Sequence, residues 1–353
     1  MRRSFVRRGA LIVAALALPV LAMGTAAAAP STSKLASATL NGDGSTFQLG
    51  FNQVVIGAFK PVQKAVTINY QGNGSGQGRT DFASQVVDFA GTDAPYKATD
   101  PQPKGGAFLY FPTVVAPITV SYNVSGLKSL KLSADTIAKI FSGQITTWDD
   151  AAIAADNPKV KLPSTKITVV HRSDGSGTTA NFTNFLVKAA ATSWTLSTGS
   201  TVQWPAGTQG ASGNSGVASL VKSTEGAVGY VDFSDANAAG LSFASVKNSS
   251  GKFIVPNLAS AAGAAAGAVV NPDLTYDPIN ATGASAYPIT SPTWIMVSMN
   301  QTDAKKGAAI KGFLNFIYND GQKLASTVDY APLPKALLKQ AKAQVNKIVV
   351  PAS

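Results

Sequence analysis

Short β-branched runs alternate with segments of helical periodicity along most of the chain. Strands are predicted at 65–70, 113–124, 166–170, 226–233 and 291–299. Helices are predicted at 45–59, 133–143, 178–191, 214–222, 259–269 and 304–319. This alternation is typical of an α/β protein with parallel strands. No segment of roughly 20–50 residues repeats, which argues against a solenoid.

Two further segments are extended, apolar and contain proline. They are FPTVVAPITVSYN (111–123) and YPITSPTWIMV (287–297). Both are typical of crossovers between two lobes of one chain. If they join the same pair of lobes, the chain leaves lobe one, builds lobe two and returns. A cleft between the lobes and a hinge of two strands follow from that path.

The first residues have the pattern of an export signal. Four arginines precede an apolar run that ends in small residues, and the best cleavage position follows Ala28. We therefore predict a signal peptide at 1–28 and a short tether at 29–38. The alternative is an N-terminal membrane anchor. The pair Arg2-Arg3 also fits a twin-arginine signal, so the sequence leaves the export route open.

Composition removes several classes of chemistry. The chain has no cysteine and one histidine, His171, which excludes disulfides, a cysteine nucleophile and a Cys- or His-rich metal site. Without residues 1–28 the chain keeps 25 basic and 18 acidic residues, a net charge of +7. No basic tract or basic-aromatic stripe occurs, which argues against nucleic-acid binding. A mild positive charge assists the attraction of small anions.

Three loops share one chemistry. They are NGDGSTF (41–47), QGNGSGQGRTDF (71–82) and HRSDGSGTT (171–179), each ahead of a predicted helix. Glycine lets the backbone turn toward a ligand, and a helix start offers unpaired N–H donors to an anion. Any single loop could serve only as a helix cap and turn. Three loops together, one of them beside Arg172, favour a shared anion site.

Two enzymatic interpretations of these loops fail on their residues. A Walker A loop requires a lysine before the final Ser or Thr, and 171–179 contains none. No G-x-S-x-G elbow occurs in the three loops. His171 is better explained as a strand-end residue flanking Arg172 than as the base of a catalytic triad.

Several motifs occur in an order that resembles the phosphate-binding proteins of ABC importers, the PstS family. They are DGSTF, YQGNGSGQGRTDF, VVDFAGTDAP, IFSGQITTWDD, KITVVHRSDGSGTT, GAVGYVDF and YPIT. The resemblance spans about 39 to 345. It implies an α/β, two-lobe periplasmic-binding-protein fold of type II, with the ligand cleft between lobes joined by two hinge strands. We place lobe one at 39–113 and 291–353, and lobe two at 114–290.

The resemblance also implies a function without catalysis. The chain is expected to be a monomer that captures inorganic phosphate and delivers it to an ABC permease in the cytoplasmic membrane, with no cofactor, metal or nucleic acid. IFSGQITTWDD (140–150) is expected to hold the fold. Residues 235–285 match the family poorly, so no site residue is placed there.

The phosphate site follows from the same matches, residue by residue. The binding residues are Thr46, Phe47, Ser75, Asp93, Arg172, Ser176, Gly177 and Thr178, and Asp174 supports Arg172 by pairing with it. Asp93 would accept a hydrogen bond from the protonated oxygen of phosphate, which sulfate lacks. From its local sequence alone, Asp93 could instead cap a turn in GTDAP.

Three other functions stay open at this stage. They are a secreted phosphatase-like enzyme, a surface or adhesion role with binding lost, and a binding protein for another protonated oxyanion such as arsenate. Many Gram-positive relatives are anchored by an acylated cysteine, which this chain lacks. The expected location is the periplasm, or the cell envelope or exterior of a Gram-positive host.

Overall fold

The computed structural model describes residues 34–352. The predicted signal peptide and residues 29–33 of the predicted tether lie outside the described residues. The strands are β1 Ala38–Gly44, β2 Val66–Gln71, β3 Phe89–Thr92, β4 Phe108–Asn123, β5 Lys131–Leu132, β6 Thr168–Arg172, β7 Gln209–Ala211, β8 Ala227–Asp232, β9 Ser242–Phe243, β10 Ser245–Lys247, β11 Phe253–Ile254 and β12 Thr290–Ser298.

Helices lie between most of these strands and follow the last one. They are α1 Leu49–Phe59, α2 Ser75–Ala83, α3 Ala134–Phe141, α4 Ala151–Asp156, α5 Gly177–Ala189, α6 Gly213–Ser223, α7 Phe233–Ala238, α8 Leu258–Ala266, α9 Ala304–Phe316, α10 Gln322–Leu324 and α11 Lys335–Gln344. A π-helical turn, Ile317–Gly321, joins α9 to α10. The predicted α/β alternation is confirmed.

Nine strands form one continuous sheet, eight of them in the order β2-β1-β3-β12-β4-β8-β6-β7, and β9 pairs with β4. The long strand β4 belongs to both halves, because its first part pairs with β12 and its last part pairs with β8. We call β2-β1-β3-β12-β4 the first sheet and β4-β8-β6-β7 the second sheet. A separate small sheet has the order β11-β10-β5.

Strand direction differs from the prediction in the middle of the sheet. β1 runs parallel to β2 and β3, and β6 runs parallel to β7 and β8. β12 is antiparallel to β3 and β4, and β4 is antiparallel to β8, so the predicted parallel pairing holds on either side of these strands but not in the middle of the sheet. The reason is the chain path: β4 leads out of the first sheet and β12 leads back.

Burial explains why β4 and β12 carry so many apolar residues. Almost every residue of both strands is buried, so neither strand shows polar alternation. Proline cannot donate to a strand ladder, and the pairing register shifts between Pro292 and Trp294. The proline in this apolar run therefore marks an irregularity in a central strand.

Two predicted boundaries move in ways that matter for the loops. The helix predicted at 45–59 begins only at Leu49, and Gly44 is the last residue of β1. The strand predicted at 166–170 lies instead at Thr168–Arg172, so Arg172 is a strand residue. In IFSGQITTWDD, Trp148 is fully buried and its Nε1 donates to the Gly226 carbonyl at 3.0 Å. That contact agrees with a role in holding the fold.

Candidate functional site

The predicted anion loops follow the carboxyl ends of parallel strands. Residues 45–48 follow β1, residues 72–74 join β2 to α2, and residues 173–176 join β6 to α5. Loops after the carboxyl ends of parallel strands are the usual place for a ligand in α/β proteins. The Gly76 N–H donates to the Gly175 carbonyl at 2.8 Å, so the first turn of α2 is in direct contact with the loop after β6.

Asp93 lies immediately after β3 and is 1% exposed. Its Oδ1 accepts hydrogen bonds from Ser45 Oγ at 2.5 Å and from Thr293 Oγ1 at 2.6 Å. Its Oδ2 accepts one from Ser75 Oγ at 3.2 Å. Burial raises the pKa of Asp93, and these hydroxyls together with the charge of Arg172 oppose the rise. Three hydroxyl donors therefore hold a buried carboxylate next to the end of β3, and only one of them binds Oδ2.

Arg172 ends β6 with its guanidinium held by Asp174. Nε donates to Asp174 Oδ1 at 2.7 Å, and Nη2 donates to Asp174 Oδ2. Burial raises the pKa of Asp174, but the hydrogen bonds and charge of Arg172 outweigh burial, so the pKa is lowered overall. The Gly213 N–H adds a hydrogen bond to Asp174 at 3.1 Å. This two-point pairing fixes the guanidinium plane and leaves Nη1 without a bond to the described protein residues.

Glycine allows the loops to approach each other closely. A Cβ on Gly177 would lie 2.5 Å from Ser75 Oγ and 2.7 Å from Asp93 Oδ2. Gly74 has φ +97°, and a Cβ there would lie 2.4 Å from Asp174 Oδ2. The start of α5, with its unpaired N–H groups, therefore lies directly against the Asp93 carboxylate.

The remaining predicted residues lie in the same place. Thr46 and Thr178 are bridged by Asn214, whose Nδ2 donates to each Oγ1 at 3.1 Å. Ser176 caps α5 by accepting from the Thr179 N–H at 3.1 Å. The ring of Phe47 is fully buried, and its carbonyl accepts from Tyr330 at 2.6 Å. Phe47 can therefore offer only backbone groups to a ligand.

Three further residues belong to this site and were not predicted. They are Ser45, Asn214 and Thr293. Asn214 opens α6 in GASGNSG (210–216), which carries the same glycine-rich signal before a helix as the three predicted loops. Ser45 lies within the DGSTF motif. Thr293 lies in an apolar strand and has no local signal.

His171 takes no part in this network of hydroxyls and carboxylates. Its ring stacks on Trp204 at 5.0 Å, and its Nδ1 lies 3.0 Å from the Arg172 carbonyl. Burial lowers the pKa of His171, and the contact with that carbonyl opposes the shift. Between residues 34 and 352, no cluster of three or more acidic or histidine side chains is arranged to hold a metal ion.

This chain is similar in sequence to known proteins over most of its length. Residues 29–321 match a model described as a PBP superfamily domain. A phosphate-binding protein PstS of Xylella fastidiosa is 35% identical, covering 91% of this chain and 88% of that protein. Another PstS, from Methanocaldococcus jannaschii, is 37% identical, covering 86% and 85%. This chain belongs to the PstS family.

Solved structures agree with that membership. A periplasmic phosphate-binding protein, PfluDING, solved with bound phosphate, superposes with a TM-score of 0.73 at 25% identity, covering 87% of this chain and 94% of that one. An ancestral soluble variant of the human phosphate binding protein has a TM-score of 0.71 at 24% identity, covering 87% and 94%. This PstS-family chain therefore has the predicted two-lobe type II fold. None of its helices within residues 34–352 is both long and apolar enough to span a bilayer.

Proposed function

We propose that this PstS-family protein is an exported binding protein that captures inorganic phosphate for an ABC permease. The observation that carries the proposal is a buried carboxylate, Asp93, that within residues 34–352 is held only by hydroxyl donors and has no cation paired with it, unlike Asp174. A carboxylate beside an anion is unfavourable unless the anion brings a proton to donate. Phosphate at neutral pH carries one or two protons, and sulfate carries none. The named relatives support the same ligand.

The proposed binding residues divide into donors and one acceptor. Arg172 Nη1 and the N–H groups at the start of α5 would neutralise the phosphate oxygens. Asp93 Oδ2 would accept the phosphate proton. The further donors are Thr46, Phe47 through its backbone, Ser75, Ser176, Gly177 and Thr178. Asp174 would hold the arginine plane rather than contact phosphate.

We place the hinge in β4 and β12. Lobe one would comprise 39–113 and 291–353, and lobe two 114–290. Under this division Thr46, Ser75 and Asp93 come from lobe one, and Arg172, Gly177 and Thr178 from lobe two. One anion bound by both groups would stabilise the closed arrangement, because donors from both lobes would contact it.

Several parts of the proposal concern what happens around the site. The protein would bind phosphate without making or breaking a bond, as a monomer, with no metal or cofactor. It would act in the periplasm, or in the envelope of a host without an outer membrane. Arsenate is protonated like phosphate and would compete for the site.

Isothermal titration tests this function directly. The chain from residue 29 onward would be partially unfolded and dialysed to remove bound ligand, refolded, and titrated with phosphate and then sulfate at neutral pH. Tight one-to-one phosphate binding with no sulfate heat is the expected result. Flat traces with both anions from refolded protein would overturn the proposal.

A further inference from the structure

Asn214 connects two of the proposed ligand-binding threonines, which come from opposite lobes. Its side chain is fully buried at the start of α6. Nδ2 donates to Thr46 Oγ1 and to Thr178 Oγ1, each at 3.1 Å. The Asn214 backbone N–H also lies within hydrogen-bond distance of Thr46 Oγ1, at 3.4 Å. Both threonine oxygens therefore act as acceptors toward the same residue.

A hydroxyl that accepts a hydrogen bond still has one proton to donate. Neither Thr46 Oγ1 nor Thr178 Oγ1 donates that proton to an acceptor within residues 34–352, although both side chains are buried. By contrast, Ser45 and Ser75 direct their protons at Asp93. Two buried hydroxyl protons without a protein acceptor indicate a ligand acceptor.

We propose that Asn214 is a positioning residue that fixes the polarity of Thr46 and Thr178, so that both hydroxyls donate to the bound anion. This inference rests on the proposed phosphate function and assigns part of its specificity to a residue that need not contact the ligand. Because Asn214 bridges a loop of lobe one and a helix of lobe two, the same contacts also favour the closed cleft.

The chemistry explains why an amide suits this position better than a carboxylate. An aspartate of the same shape would accept protons from both threonines and turn them away from the cleft. It would also add a negative charge behind an anion site. Within residues 34–352 Asn214 Oδ1 has no hydrogen-bond partner, so the side-chain amide makes its hydrogen bonds through Nδ2. If the amide were oriented the opposite way, Asn214→Asp would preserve the acceptor and be tolerated.

Phosphate titration of three variants tests the polarity directly. Asn214→Asp is expected to weaken binding at least about 100-fold, which corresponds to two lost hydrogen bonds to a charged ligand. Asn214→Ala is expected to weaken it about 10-fold, because the hydroxyls become free to rotate. The matched control is Asn237→Asp, an exposed position on α7, which should bind within about 2-fold of the parent chain. An Asn214→Asp variant that binds within a few-fold of the parent chain would overturn the inference.

A double-mutant cycle separates this role from a merely structural one. If Asn214 acts through the two hydroxyls, Asn214→Ala should have no further effect on affinity in a Thr46→Val/Thr178→Val background. If Asn214→Ala reduced phosphate affinity equally in both backgrounds, the inference would be overturned. If Asn214→Asp does not fold, the double-mutant cycle alone decides. Melting temperatures without ligand show which variants are folded. Absence of phosphate binding by the parent chain would instead reject the proposed function itself.

Discussion

Asp93→Asn is the substitution that bears most directly on ligand choice. The change is isosteric and keeps one oxygen, so the hydrogen bonds from Ser45 and Thr293 to Oδ1 can persist. The new amide nitrogen replaces Oδ2, where Ser75 donates at 3.2 Å. The Ser75 hydroxyl can rotate and accept instead. The fold is therefore expected to survive, and the change falls on the ligand.

The size of the effect follows from what each anion meets. Phosphate would lose the acceptor for its O–H and face an N–H donor, a loss of about 1–3 kcal/mol. That range corresponds to a phosphate affinity roughly 5- to 150-fold weaker. Sulfate would no longer meet a buried negative charge, so its binding should improve. If the parent chain prefers phosphate over sulfate by about 10⁴–10⁵, Asp93→Asn should reduce this ratio of affinities by about two orders of magnitude or more.

Titration of phosphate and sulfate into both proteins at neutral pH measures this change. Asp320→Asn is a suitable control, because it removes the same charge from an exposed ion pair with Lys323. The control should leave both affinities within about 2-fold of the parent chain. If Asp93→Asn kept full phosphate affinity and still excluded sulfate, discrimination would not depend on this carboxylate.

Four further substitutions test other parts of the structure. Arg172→Lys removes the planar fork and should weaken phosphate binding about 10- to 100-fold by titration. Gly177→Ala introduces a methyl group against Asp93 and should weaken binding at least about 10-fold, whereas Gly57→Ala, with nothing within 4 Å, should bind normally and be more stable by about 0.5–1 kcal/mol. Burial and a neighbouring acid raise the pKa of Asp232 well above 3.8. Ionised Asp232 therefore destabilises the folded chain, and this destabilisation grows as the pH rises from about 3.8, the unfolded pKa, through the raised pKa of the folded chain. The melting temperature of Asp232→Asn relative to the parent chain should therefore increase with pH, and a difference independent of pH would contradict this reasoning.

The local chemistry of the site could be predicted from sequence because its donors lie in short loops. Glycines and hydroxyl residues before a helix are visible as a pattern, and Arg172 stands out beside them. Asn214 carries the same pattern in GASGNSG and could have been found by applying the rule a fourth time. These loops come together because the parallel strands of the first and second sheets point their carboxyl ends, from opposite directions, toward the middle of β4.

Thr293 and the direction of the central strands could not be predicted in this way. Thr293 donates to Asp93 from 200 positions away in sequence, out of a strand whose neighbours are apolar and buried. Its role is set by the register between β12 and β3, which pairs Trp294 with Thr92. Hydrophobic periodicity reports which residues are buried but carries no information about strand direction. The antiparallel return of β12 therefore appears only in the tertiary structure.

At two places in the site a buried side-chain amide donates to a threonine hydroxyl, and the threonine protons then point in different directions. Gln48 Nε2 donates to Thr293 Oγ1 at 2.9 Å, and Thr293 in turn donates to Asp93. Asn214 donates to the hydroxyls of Thr46 and Thr178, whose protons have no acceptor in the described protein. In each case a buried amide fixes the direction of a hydroxyl that could otherwise rotate.

The direction of these hydroxyls matters because an anion site must be both attractive and selective. Hydroxyl protons directed at Asp93 stabilise its charge, and because two of the three bind Oδ1, Oδ2 would keep room to accept a ligand proton. Protons directed into the cleft would stabilise the oxygens of the ligand. An anion without a proton would accept hydrogen bonds from Thr46 and Thr178 but would have nothing to donate to Asp93, whereas phosphate would do both. Under the proposed function, selectivity would therefore depend on buried amides as much as on the residues expected to contact phosphate, since a freely rotating hydroxyl can adapt to either anion.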